Sequence, residues 1–283
     1  MEVIELNKYP GNTTKLNYSN GVPYISFKTL EQYQWLNHGF STRYGGVSEG
    51  HLASMNLGMG RGDMEENVIK NHEIIADAIG FSAKNIVKGH QTHTTNIRIA
   101  TKADCGKGLY FPQEYTDVDG LVTNEPGIVL ATYYADCVPL YIVDTKNRAI
   151  GLSHSGWRGT VGKMGKVTIE VMHKTYGTEP KDVVVCIGPS ICQKCYEISE
   201  DVAKEFMNAF PDNICDILIN KGNGKYQLNL WKCNQLVFQE AGVDILNIHT
   251  TDICTCCNPD TLFTHRGHHG KRGNLAAFLS IKE

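Results

Sequence analysis

No stretch of the chain approaches the roughly 18 consecutive apolar residues that a membrane-spanning helix requires. A basic surplus is also missing: 27 Lys and Arg stand against 30 Asp and Glu, a formal charge of −3. Non-specific attraction to nucleic acid or to a membrane surface is therefore not expected. The opening Met1-Glu2-Val3-Ile4-Glu5-Leu6 is acidic and lacks a basic stretch leading into an apolar one, so a secretory signal is not expected either. There is no internal repeat, no low-complexity tract and no Pro/Gly/Ser-rich linker, and the length suits one large or two modest domains. With 41% hydrophobic and 20% charged residues, this is the composition of an ordinary globular protein, long enough to bury its own core as a monomer.

Cysteine is plentiful: ten, at 105, 137, 186, 192, 195, 215, 233, 254, 256 and 257. In a long chain without a leader such a set reads as reduced thiols, some buried and some on metal, and places the protein in the cytoplasm. The glycine-rich run from Thr42 to Gly62 reads as a long irregular loop. Asp63 reads as the N-cap of a helix whose apolar stripe includes Val68, Ile75 and Ile79 and which stops at Gly80. Strands are expected over 85–88, 96–100, 119–123, 128–132, 139–144, 149–153 and 182–187, and helices over 161–176, 201–210 and 230–241. The apolar run 275–281 fits either type. Strands and helices mix without regular alternation, which favours an α+β fold of sheets layered against helices.

Three motifs stand at strand ends. Gly89-His90-Gln91-Thr92-His93 taken alone is a pair of polar histidines at a turn. Ala135-Asp136-Cys137-Val138-Pro139 puts a thiol at a strand break, although a free cysteine is most often simply buried. Ser153-His154-Ser155-Gly156-Trp157-Arg158-Gly159 reads as a tight turn whose N–H groups and guanidinium suit phosphate. Together they offer His93, Cys137 and His154. Two imidazoles and a thiolate suit Zn²⁺ and leave its fourth position open, the pattern of a catalytic site. A metal-free Cys137–His154 nucleophilic dyad needs the same proximity and remains open. Cys192-x-x-Cys195 has the spacing of half a Cys₄ zinc site, but Cys254-x-Cys256-Cys257 reads as lacking the matching half, so that site is not favoured. Gly58-x-Gly60-x-Gly62 is not a dinucleotide fingerprint.

These motifs occur in one order along the chain. Phe40-Ser41-Thr42-Arg43-Tyr44-Gly45-Gly46, Asn56-Leu57-Gly58, Gln91-Thr92-His93, Ala135-Asp136-Cys137-Val138-Pro139, His154-Ser155-Gly156-Trp157-Arg158-Gly159 and Ile187-Gly188-Pro189-Ser190 follow one another. In this the chain resembles the YfiH/YlmD family, whose members have been called laccase-domain proteins, multicopper polyphenol oxidases and purine nucleoside phosphorylases. The resemblance implies one catalytic domain over residues 1–283, a single-domain α/β/β/α sandwich with mixed sheets, similar to the catalytic domain of cytotoxic necrotising factors. It implies a metal triad of His93, Cys137 and His154. It also implies phosphorolysis of adenosine, inosine, guanosine and methylthioadenosine, with adenosine deamination. Ser155 stands where the family usually has Ala, and Tyr134 where it commonly has Thr.

On that basis purine nucleosides and phosphate are the expected partners. Arg43, Arg158 and Arg266 are the candidate phosphate ligands, with Arg43 grouped with the triad as catalytic. Asp136 or Gln91 is the candidate for orienting a metal-bound histidine. A four-copper oxidase needs many more histidines than His265, His268 and His269 can add, so zinc is preferred, with Cu²⁺ as a possible substitute. A copper-dependent polyphenol oxidase and a non-catalytic zinc-binding regulatory module are the alternatives.

Overall fold

The computed structural model describes residues 4–283; Met1, Glu2 and Val3, which open the acidic stretch considered above, lie outside the described residues. The strands are β1 (Thr14–Ser19), β2 (Val22–Phe27), β3 (Leu36–Ser41), β4 (Ile86–Lys88), β5 (Ile97–Ile99), β6 (Gly120–Thr123), β7 (Val129–Tyr134), β8 (Val138–Asp144), β9 (Ala149–Ser155), β10 (Val183–Ile187), β11 (Glu197–Ser199), β12 (Leu218–Gly222), β13 (Lys225–Leu228), β14 (Ile248–Thr250) and β15 (Leu275–Ile281). The helices are α1 (Glu65–Ile79), α2 (Trp157–Val161), α3 (Met164–Tyr176), α4 (Glu200–Ala209), α5 (Ile214–Ile217) and α6 (Leu230–Glu240). One six-stranded sheet has the order β1-β2-β3-β15-β7-β4, a second has β14-β10-β8-β9-β6-β5, and β11-β13-β12 form a small third. Both large sheets are mixed, since β4–β7, β5–β6 and β10–β14 are parallel among antiparallel neighbours.

Strand periodicity builds the layers, because successive side chains point to opposite faces. From β15, Leu275, Ala277, Leu279 and Ile281 meet Tyr141 and Val143 of β8, Ile150 and Leu152 of β9, and Val184 of β10 in the core between the sheets. The alternate residues Ala276 and Phe278 turn outward onto Ile75, Ala76 and Ile79 of α1. On the far side Leu140, Ile142 and Val185 pack on Met164, Ile169 and Met172 of α3 and on Val237 and Phe238 of α6. The order of layers is helix, sheet, sheet, helix. Both faces of each large sheet are covered, which is why the central strands read as continuous apolar runs.

Three sequence expectations change. The helix expected over 161–176 is two helices, broken at Lys163, which adopts a left-handed φ of 59°. The ambiguous 275–281 run is a strand at the centre of the first sheet. The α1 helix begins at Glu65, because Asp63 uses its carboxylate on Ser48, Asn56 and Asn67 as well as on the Met64 N–H. Gly80, at φ 99°, ends that helix as expected. Among the described residues no helix is long and apolar enough to cross a membrane.

The two sheets are also joined by a buried hydrogen bond: the Tyr141 hydroxyl donates to the Gly39 carbonyl at 2.9 Å. Tyr141→Phe should lower the unfolding free energy by about 1 kcal/mol with an unchanged denaturant slope, read by urea titration.

Candidate active site

The chain passes from the first sheet to the second twice in the region of interest. Between β4 and β5 the crossing carries His93, and between β7 and β8 it carries Cys137. His154 lies in β9 opposite Pro139 of β8, and Ser155 opposite Val138, so it stands beside the second crossing. The ligating atoms of His93, Cys137 and His154 all lie within 4.8 Å of one another. The two imidazoles sit edge to face, with ring centroids 5.0 Å apart, and the buried Tyr134 ring backs His154.

Asp119, immediately before β6, fixes this arrangement. Its fully buried carboxylate accepts the backbone N–H groups of Thr92 (2.9 Å), His93 (3.1 Å) and Thr94 (3.0 Å) and the Thr94 hydroxyl. The same carboxylate takes His154 Nδ1 at 2.8 Å, and the Asp119 carbonyl accepts the His154 N–H. One side chain therefore curls the His93 loop and turns the Nε2 of His154 away from itself, the role usually filled by the carboxylate behind a metal-bound histidine. Reading 119–123 simply as a strand hides this residue; the available signal is an acidic residue beside a glycine in an apolar run.

The electrostatics agree with the geometry. Burial raises the cost of charging Asp119, but the hydrogen bond from His154 and the loop N–H groups overcome it and hold the carboxyl at about 2. Burial likewise opposes charge on Cys137, yet His154 and His93 bring its thiol down to about 6. Burial lowers His154, while Cys137 and Asp119 lift it to about 9. Free of metal, the site is poised as thiolate and imidazolium, the deprotonated sulfur that a metal ligand or a nucleophile needs.

Sterics and backbone complete the site. A Cβ on Gly156 would stand 2.9 Å from His93 Cδ2 and 3.1 Å from the Cys137 sulfur, so glycine is required there for room. His93 and Asp136 both hold left-handed φ, 67° and 91°. Such backbone costs roughly 1–3 kcal/mol for a residue other than glycine and persists only where the surroundings impose it.

The triad lines a cavity of about 410 Å³. Three further cations line the same cavity: Arg61, Lys88 and Arg272, the last at the end of the basic tract 265–272. Burial pushes Lys88 down from its ordinary value. Burial, and then the charge of Arg61, push Arg272 down to about 10. Arg272 Nε is buried without a hydrogen-bond partner. Leu57, Met59 and Tyr133 supply apolar wall.

Several candidate residues lie elsewhere. Arg43 does not line the cavity; its guanidinium stacks on Phe263 and bonds the Ala53 and Pro259 carbonyls and His268. Arg158 lies on the ring of Trp157 and lines a separate cleft with Asp201 and Glu205. The expected phosphate turn around it is instead the start of α2. Arg266 spends its guanidinium on the Cys195 and Glu197 carbonyls. Asp136 accepts from the Thr255 hydroxyl and the Arg266 N–H, not from a histidine. Gln91 lines the cavity but ties both ends of its amide to the backbone of Tyr133. It anchors the loop without touching either imidazole.

Residues 37–282 match the family described as multi-copper polyphenol oxidoreductase laccase, and the chain belongs to that family. It is 34% identical over 250 residues to the Bacillus subtilis protein named purine nucleoside phosphorylase YlmD, which covers 87% of this chain and 88% of that one. A protein of Bacteroides thetaiotaomicron named purine nucleoside phosphorylase is 33% identical over 258 residues, 91% of this chain and 96% of its own. The crystal structure of the Bacillus licheniformis hypothetical protein YfiH superposes with a TM-score of 0.89 at 29% identity, covering 96% of this chain and 100% of that one. The structure of YlmD from Geobacillus stearothermophilus gives 0.87 at 31%, with 95% and 99% covered. The likeness to YfiH and YlmD read from the motifs is thus shown, as is the mixed α+β fold.

Asp119 also makes a pH prediction. Its pKa is depressed from 3.8 to about 2, so its contribution, roughly 2 kcal/mol, is complete above about pH 4 and is lost as pH falls through 2. In metal-stripped protein, the stability advantage of the parent over Asp119→Asn should shrink by that amount across this window in urea titrations. An advantage independent of pH would show that the carboxylate is not held by charge.

Proposed function

We propose that this member of the family is a zinc-dependent purine nucleoside phosphorylase that also deaminates adenosine, with His93, Cys137 and His154 holding the metal. The observation that carries the reading is the pairing of this three-donor set with a cation-lined cavity large enough for a nucleoside. Two imidazoles and one thiolate suit Zn²⁺ by ligand chemistry. Bound there, the ion supplies a Lewis acid with an open position, to polarise phosphate or the water that deamination at purine C6 consumes.

The remaining chemistry falls to the protein. In phosphorolysis a phosphate oxygen attacks C1′ of the ribose, the C1′–N9 bond breaks, and the purine departs with the electron pair and takes a proton. Ribose-1-phosphate and the free base are the products. The attacking anion needs a positive cradle, and Arg272, Lys88 and Arg61 provide one. The partnerless Nε of Arg272 is a donor in search of an acceptor. Asp119 keeps His154 in one tautomer and so holds the site to its geometry through the reaction. Leu57, Met59 and the Tyr133 ring offer the purine an apolar wall. In this reading the phosphate role moves from Arg43, Arg158 and Arg266 to the three cations of the cavity.

A four-copper oxidase has less support. Among the described residues, only two groups of three or more His, Cys, Asp or Glu side chains gather at metal-ligand distance, and just one of them contains histidine. The triad would nonetheless take Cu²⁺ more tightly than Zn²⁺, so metal content belongs in the same experiment as turnover. A structural zinc module would need neither the open cavity nor its cations. The free thiols fit a reducing compartment, and cytoplasmic residence is part of this reading.

Incubation with adenosine and phosphate should yield adenine and ribose-1-phosphate, with inosine as the product of deamination. Cys137→Ala should lose metal and turnover together, by about 10²-fold or more. Full phosphorolysis by metal-free Cys137→Ala would end the mechanism. Arg272→Met should retain the metal but raise the KM for phosphate by about tenfold or more, while leaving deamination nearly intact. Equal loss of both activities would remove Arg272 from the phosphate site.

A further inference from the structure

A second constellation lies outside this cavity. Cys192 and Cys195 follow β10, and Cys254 and Cys257 follow β14; their four sulfurs lie within 4.8 Å of one another. The sequence reading set this pairing aside because the second run was measured to Cys256. Counted from Cys254 to Cys257 it is also C-x-x-C, and Cys256 stays outside the group.

The topology explains the meeting. β10 and β14 are parallel neighbours, so their ends emerge side by side. The ladder is prolonged past both strands by a bridge between Ser190 and Cys254. Each run then turns back. Tyr196 N–H closes onto the Cys192 carbonyl at 3.1 Å, and the Asn258 amide onto the Cys254 carbonyl at 2.8 Å.

The geometry points to a closed tetrathiolate site that binds one Zn²⁺ ion per chain on Cys192, Cys195, Cys254 and Cys257. At a Zn–S bond of about 2.3 Å, the sulfurs of a tetrahedral site stand roughly 3.8 Å apart. Here Cys195 and Cys257 are 3.5 Å apart, and Cys192 and Cys257 4.0 Å. All ten cysteines of the chain are free. Thiolates bound to a metal keep partial negative charge and attract donors, and two are in place. The Tyr9 hydroxyl lies 3.0 Å from the Cys192 sulfur, and the Cys192 N–H points to the Cys254 sulfur at 3.3 Å. Four protein sulfurs leave no open position, so the site is structural.

The ion would clamp what surrounds it. Asn7 and Tyr9 bond the 252–258 segment, which brings the N-terminal strip onto the site. Arg266 bridges the Cys195 carbonyl to Asp136, and Ile191 and Thr255 also bond Asp136. The residue immediately before Cys137 is thus held by both cysteine turns. The inference does not rest on the proposed phosphorylase activity.

The test is Co²⁺ binding to protein kept reduced, with metal released by a mercurial and counted. The parent chain should bind about two equivalents. His93→Ala, altered at an exposed side chain, should keep about one, with the intense visible bands and strong thiolate charge transfer of a tetrahedral Co²⁺ tetrathiolate. Cys192→Ser/Cys257→Ser should lose that equivalent and those bands. A His93→Ala chain that folds, as judged by circular dichroism, yet binds no Co²⁺ overturns the site, whatever becomes of the serine variant. So does a Cys195–Cys257 disulfide mapped in the protein as isolated. Absence of phosphorolysis in the parent chain, with the tetrathiolate bands present, would count against the phosphorylase reading alone.

Discussion

One buried carboxylate holds the triad together. Asp119 is surrounded by donors from two directions: three consecutive N–H groups of the His93 loop and the Nδ1 of His154. A buried charge is tolerated only when it is paired and hydrogen-bonded, so the loop must curl and the imidazole must turn for the fold to accept the aspartate. That demand also leaves Nε2 as the His154 nitrogen free for another partner. The left-handed backbone at His93 follows from the same demand, because the loop has to wrap the carboxylate to present three successive amides to it.

The larger architecture brings the partners to this point. Two passages between sheets leave the first layer as neighbours, since β4 and β7 are paired in parallel. They enter the second layer on opposite sides of β9, one at its neighbour β8 and the other at β5, beyond β6, so the loops that carry His93 and Cys137 flank the strand that carries His154. The core is rigid on both faces, and the strand ends it presents are fixed in register. Lys88 and Arg272 line the same cavity as Cys137 and the two imidazoles, which sets the proposed anion-binding cations beside the proposed metal ligands.

Much of this was legible in the residues. Apolar runs bounded by turn formers gave the central strands, because sheets covered on both faces need apolar residues at every position. Strand-end placement was enough to bring His93, Cys137 and His154 together. What stayed hidden was long-range. The early edge strand β1 carries weaker patterning, with Lys15 and Tyr18 exposed and Asn17 and Ser19 half-buried. The role of Asp119 depends on which loop folds over it, and no local spacing reports that. The arginines were misplaced for a related reason. Arg43, Arg158 and Arg266 stand in distinctive motifs but do not line the cavity, whereas Arg272, from the basic tract 265–272, and Lys88, at the end of β4, reach it through tertiary packing. The second C-x-x-C pair was obscured by Cys256, which the turn directs out of the cluster.

The position of β15 carries a consequence for how the molecule is made. This strand fills the gap between β3 and β7, and its partners are finished long before it is synthesised. Until it arrives, β3 and β7 each expose an open hydrogen-bonding edge flanked by apolar side chains, the kind of surface that recruits other strands. The nascent chain therefore waits with its first sheet split in two. A ribosome stalled shortly before residue 275 would hold a polypeptide with most of its sequence and without the one piece that seals it, a natural client for a chaperone.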